Sequence, residues 1–262
     1  MPLPEALADP LHTGPALTVL HTQALAGERG ERRLFESLDM DLPAGSVTWL
    51  RGRNGRGKTT LLRLLAGLSS PADGEITIQG RSLRQAGPIG RKQWLYIGHQ
   101  NALKDDLSAT EALGFLARLH GLPDDASSLK QALQRLGVLQ RQHAPVRTLS
   151  QGQRRRVALA RLALSGAAPL WLLDEPFDAL DSDGIDALNQ VIGEHAAAGG
   201  CVLLTSHQAL SLRDPAPRLL DLEGFAPGVS PGIAPGIPPG IATMSASPLT
   251  PAAATPAPGA RP

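Results

Sequence analysis

GRNGRGKTTLLRLLAGL, residues 52–68, carries the spacing G-x-x-x-x-G-K-[ST] at Gly52, Gly57, Lys58 and Thr59. The glycines let the backbone curl until successive N–H groups converge on one anion. The apolar spacing of TTLLRLLAGL then starts a helix whose N-terminus faces the same point. Gly52, Arg53, Asn54, Gly55, Arg56, Gly57, Lys58, Thr59 and Thr60 are thus candidates to cradle a triphosphate. Lys58 supplies charge to its β- and γ-phosphates, and Thr59 offers a hydroxyl to Mg²⁺. Upstream, SVTWLRG (46–52) is β-rich and feeds the loop directly. A chance glycine-rich turn explains the loop alone, but not strand, loop and helix in succession.

Working outward, APLWLLDEP (168–176) is an apolar run ending in two carboxylates. A buried parallel strand has this form, and its C-terminal end reaches the ligand in such sheets. Asp174 is the acid on the Mg²⁺ side, direct or through water. Glu175 is positioned to orient or deprotonate an attacking water. A second apolar run, GCVLLTSH (200–207), brings His207 to the same end of the sheet. The structural alternatives are a strand closing into a DEP turn and a histidine buried for packing. The other six histidines have no such placement and read as surface or core residues.

The bulk sequence excludes several classes. The chain has 262 residues, 42% of them hydrophobic, with net charge +1. That balance gives no general reason to expect a nucleic acid or an anionic membrane as partner. A single cysteine, Cys201, rules out an intramolecular disulfide, and CxxCH is absent. MPLPEALADPLHTGP lacks the basic and apolar regions of a signal peptide. No apolar run approaches the ~20 residues of a membrane helix. Residues 1–15 read as a flexible N-terminus. Residues 226–262, with their PGVS/PGIA/PGIP repeat, read as a disordered Pro/Gly/Ala-rich tail, or less readily as a proline-rich ligand.

TLSQGQRRRVALARLAL (148–164) crowds three arginines near a helix start, where the macrodipole disfavours cations unless an anion is close. Ser150 and Gln153 have the spacing of a capping box, and Gly152 would permit close approach of a phosphate. At about 100° per residue Arg154, Arg155 and Arg156 cannot share one face, so some read as solvated. LSQGQ resembles the signature of ATP-binding cassette (ABC) ATPases. The whole series GRNGRGKTT, GHQ with Gln100, LSQGQ, LLDEP, DALD (178–181) and TSH (205–207) follows that family's order.

The resemblance implies an α/β fold over residues 16–225: an ABC-type P-loop NTPase with a RecA-like core, an antiparallel β subdomain and an inserted helical subdomain near 105–167. It implies ATP and Mg²⁺ as cofactors. It also implies that Ser150, Gly152 and Gln153 close the pocket of a second copy, with Asp181 across that interface. Gln100, at the hinge of the helical lobe, would contact Mg²⁺ or the attacking water. Helix signals at SATEALGFLARLHG (108–121, with Ser108 and Glu111 as a capping box) and SLKQALQRLGV (128–138) suit that lobe. Two departures stand out. Gln151 occupies the signature's third position, so its side chain must point away from phosphate. GERGERRLF (27–35) lacks the Tyr or Trp that many members stack on adenine. Arg29 is the candidate there, and Phe35 is an alternative with a core-like setting.

One cassette without a membrane span matches the separately encoded ATPase subunit of a transporter. LYIGHQNALKDDLSATEAL, ERRLFESLDMDLPAG and LLTSHQAL further resemble the ATP-binding subunits of the cytochrome c maturation (haem export) system. That resemblance implies a dimer working with integral membrane subunits at the cytoplasmic face of the bacterial inner membrane. Haem would be reached only through the complex, and nucleic acid is not an expected partner. An ATPase for another small substrate, or a soluble non-transport ABC ATPase, stays open at this point.

Overall fold

The computed structural model describes residues 17–85, 94–166, 168–208, 210–212 and 214–228. The expected flexible N-terminus and nearly all of the Pro/Gly/Ala-rich tail lie outside these residues.

The first layer is antiparallel. Strands β1 (Thr18–Arg29) and β2 (Arg32–Pro43) form a long hairpin, joined by β4 (Asp73–Ile78) and the short β5 (Arg81–Ser82) in the order β2-β1-β4-β5. The second layer is wholly parallel. It runs β6 (Trp94–Ile97), β7 (Leu170–Leu173), β8 (Cys201–Thr205), β3 (Val47–Arg51) and β9 (Arg218–Asp221). Helix α1 (Lys58–Leu65) follows β3, and α5 (Ser182–Ala197) lies between β7 and β8. Between β6 and β7 the chain inserts α2 (Ala109–His120), α3 (Ala126–Arg135) and α4 (Gln151–Leu164).

Strand alternation distributes the core. In β7, Leu170 and Leu172 join the cluster holding Leu61, Leu62 and Leu65 of α1, while Trp171 and Leu173 join the helical cluster on the other face. Every residue of β7 and β8 is buried, as both-face coverage requires of a parallel sheet. Phe35 is fully buried against Gly27 and Gly57, so it is a core residue rather than a base-stacking one.

The local signals locate the inserted helices. Ser108 Oγ accepts the Glu111 amide and Glu111 Oε2 accepts the Ser108 amide, closing the capping box of α2. Helix α3 begins two residues before the expected 128 because Asp125 Oδ1 accepts the amides of Ser127 and Ser128. It ends at Arg135, two residues before Gly137, whose φ of 65° turns the chain out of the helix.

Candidate nucleotide site

All the parallel strands deliver their C-terminal ends to one edge of the sheet. There β3 turns into α1, and the turn opens a cleft of about 350 Å³ lined by Arg53, Asn54, Gly55, Gly57, Lys58, Thr59 and Thr60. Gly57 is the N-cap of α1 with φ 103°, a left-handed conformation that side chains rarely adopt. A Cβ there would also press on Leu34 at 3.1 Å. Among the described residues no side chain caps α1, so its first amides are left for a ligand. Lys58 Nζ donates to the Gly52 carbonyl at 2.7 Å, which folds the ammonium back over the loop.

The opposite wall comes from β7 and β8. Asp174 and Glu175 are 2% and 7% exposed. Asp174 Oδ1 accepts the Thr205 hydroxyl at 3.0 Å, while Oδ2 is buried with no hydrogen-bond partner among the described residues. Glu175 has φ 48° and takes the Thr205 Oγ1 with its amide at 2.8 Å. Its carboxylate accepts the His207 amide at 3.0 Å and lies 3.3 Å from His207 Nε2. Burial pushes the Glu175 carboxyl above its ordinary range; His207 and Lys58 pull it back, and Asp178 adds to the rise. Such a carboxyl suits a proton acceptor working near neutrality.

The structure therefore brings Arg53 to Thr60 (except Arg56), Asp174, Glu175 and His207 to one cleft, with Arg29 and Leu34 at its rim. Two residues of the cleft wall and one contact behind the loop were not foreseen. His99 and Asp178 both line it, with His99 Nδ1 3.6 Å from Asp178 Oδ2. The available signals were adjacency, since His99 precedes Gln100 and Asp178 follows Glu175 by three residues. Arg56 turns away from the cleft. Its Nε donates to Glu223 Oε2 at 2.7 Å while Glu223 Oε1 accepts the Arg53 amide at 2.9 Å, so Glu223 anchors the loop's first turn from behind.

Several expected site residues lie elsewhere. Gln100 is exposed and lines a neighbouring groove with Asn101, Gln151 and Arg154. Ser150, Gly152 and Gln153 do not line the cleft either. The capping box is formed, with Ser150 Oγ accepting the Gln153 amide at 3.2 Å and Gln153 Oε1 the Ser150 amide at 3.1 Å. Gly152 meets the Ala179 carbonyl, 2.7 Å from where a Cβ would sit, so within this chain its close approach is to backbone rather than phosphate. Asp181 caps α5 through the Gly184 amide and pairs with Arg156.

The arginines of α4 are a correction. Arg155 and Arg156 are buried rather than solvated, and Arg154 stays partly exposed. The anions they meet are this chain's own carboxylates, Asp105 beside Arg154 and Asp181 beside Arg156, rather than a ligand. Arg156 is buried, bonding the Leu136 and Gly137 carbonyls as well as Asp181. Arg154 donates to the carbonyls of Leu149 and Arg147. Arg155 is 3% exposed and donates to a ring of carbonyls. Burial lowers the Arg155 pKa, with Asp178, Asp174 and Glu175 opposing the shift.

The sequence pattern of the ABC transporter family matches residues 35–178. The cytochrome c biogenesis ATP-binding export protein CcmA of Pseudomonas syringae pv. syringae (strain B728a) is 47% identical over 211 residues, 79% of this chain and 97% of that protein. CcmA of Xanthomonas campestris pv. campestris (strain 8004) is 44% identical over 226 residues, 84% of this chain and all of that protein. Among solved structures, an ATP-binding subunit of an ABC transporter superposes with a TM-score of 0.69 at 26% identity, covering 78% of this chain and 85% of that one. Cleft, fold and relatives agree: the chain belongs to the ABC transporter family as one of its ATP-hydrolysing, nucleotide-binding subunits.

Proposed function

We propose that two copies of this chain hydrolyse Mg²⁺-ATP to drive an inner-membrane complex that delivers or releases haem during cytochrome c assembly. In this reading Lys58 and the amides of α1 hold the phosphates. Glu175 takes the proton of the attacking water, and His207 supports both the carboxylate and the γ-phosphate. Arg29 stacks on the base. Mg²⁺ fits the donors present: the unpartnered buried Asp174 Oδ2 and the Thr59 hydroxyl would hold it, and it would neutralise phosphate charge. Gln100 would join the site only as the helical lobe moves toward it.

One observation carries the two-copy reading. Ser150 Oγ accepts the Gln153 amide, and among the described residues its own hydroxyl proton has no acceptor. The equivalent serine of α2, Ser108, spends that proton on Glu111 Oε2 at 2.7 Å. An exposed helix start with an unspent donor, outside its own chain's cleft, suits the γ-phosphate held by another copy's Lys58. Asp181 and the loop before it would then lie near that junction.

The CcmA relatives are named for cytochrome c biogenesis and export. No helix among the described residues is long and apolar enough to cross a membrane, which suits a peripheral subunit on the cytoplasmic face with separate integral partners. Deleting the gene should abolish covalent haem attachment to c-type cytochromes. The wild-type gene should restore it, and the Glu175→Gln variant should not. Normal attachment in the deletion strain would overturn the haem assignment and leave the ATPase intact.

A further inference from the structure

We propose that Arg155 is a positioning residue for hydrolysis, through which helix α4 sets where the Glu175 carboxylate stands relative to the Gly98–Asn101 loop. The inference rests on reading Glu175 as the base. Arg155 Nη2 donates to the Asp174 carbonyl at 3.0 Å and to the Glu175 carbonyl at 2.8 Å. Its Nη1 donates to the Gly98 carbonyl at 3.0 Å and to Asn101 Oδ1 at 3.1 Å. One planar fork therefore joins the end of β7, the segment after β6 and the helix that starts at Ser150.

None of these acceptors is a carboxylate, so a buried charge is held by backbone dipoles and one amide. An apolar side chain would fill the same space without that desolvation cost. What the fork adds is geometry. Glu175 has φ 48°, a conformation that non-glycine residues keep only where their surroundings over-determine it. Thr205 Oγ1 fixes its amide and Arg155 fixes its carbonyl. Any shift of α4 when its N-terminus engages phosphate is thereby passed to the catalytic carboxylate and to the segment leading into Gln100.

The test uses the full chain, assembled with its membrane partners where turnover requires them. Arg155→Lys still offers a donor to the buried carbonyls, but its single ammonium cannot bond both segments at once. Its kcat should fall about 10- to 100-fold, with KM for ATP within about twofold of wild type. Introduced into Glu175→Gln, the same change should lower the residual rate by less than about threefold, because both act on one step. Arg155→Gln should repeat the pattern, with folding checked by circular dichroism. A folded Arg155→Lys protein with wild-type kcat overturns the inference. So does a loss that multiplies in full onto Glu175→Gln, the behaviour of a general packing defect. Wild-type turnover by Glu175→Gln alone would overturn the base assignment first, and this inference with it.

Discussion

Two helix starts in this molecule share a grammar of glycine, small polar residue and free amides, yet they are finished differently. At α1 the N-cap is Gly57, no side chain satisfies the amides, and the neighbouring cation Lys58 faces the cleft. At α4 Ser150 and Gln153 close a capping box, and the nearby cations are spent on carbonyls of the same chain. The first start is a complete anion site within one chain. The second is stabilised without an anion and keeps only the Ser150 hydroxyl proton and the unclosed amides on offer. Motif and macrodipole alone treat the two alike; what separates them is the side-chain cap, present at α4 and missing at α1, and that Lys58 lines the cleft.

The largest expected effect lies opposite the first start. Glu175→Gln should lower kcat by about 10²–10⁴-fold while leaving equilibrium ATP binding unchanged, as read by turnover and a nucleotide titration. Unaltered turnover would remove Glu175 from the chemistry. The next contrast sets cation against cation. Lys58→Ala should weaken ATP binding by about 30-fold or more, whereas Arg156→Ala should leave the isolated chain's ATP affinity alone and lower its thermal stability. Equal losses of affinity would dissolve the distinction between the two starts.

Acid should act on the strand that carries the carboxylates rather than on either helix start. His195 stacks on Trp171 of β7 with ring centroids 3.6 Å apart, and burial pushes its pKa down to about 4. The unfolded chain therefore takes up the proton first. Stability is fully present above about pH 6.5 and is lost as pH falls toward 4, by up to about 3 kcal/mol. Urea unfolding at pH 7 and pH 4.5 measures this, and His195→Phe should flatten the dependence. The smallest effect compares the two boxed serines. Ser108→Ala and Ser150→Ala should each cost about 1 kcal/mol of stability, but only Ser150→Ala should also slow ATP turnover. A matching loss of turnover in both would reduce the α4 serine to a cap.

The phosphate loop and the two apolar strands, one ending in Asp174 and Glu175 and the other leading to His207, were legible because short-range patterns determine them. A glycine spacing and an apolar run need no knowledge of distant residues. The long β1–β2 hairpin was less legible, because its register shifts break the alternation of TVLHTQALAGER, and Ala24 and Ser37 adopt positive φ. Glu223 behind the loop could not be read at all, since it approaches from a segment far along the chain. The arginines of α4 were misread for the same reason. Most of their acceptors are backbone carbonyls just after β7, just after α3 and in loops, and a carbonyl leaves no mark in a sequence.

The proposed use of the α4 start is to serve another copy's nucleotide. Sedimentation of the Glu175→Gln protein with and without ATP tests it most directly, because that variant should hold its nucleotide unhydrolysed. The expected result is an ATP-dependent dimer that disappears when Ser150→Arg is added, while ATP binding to the monomer persists. A Ser150→Arg protein that still dimerises with ATP would contradict it.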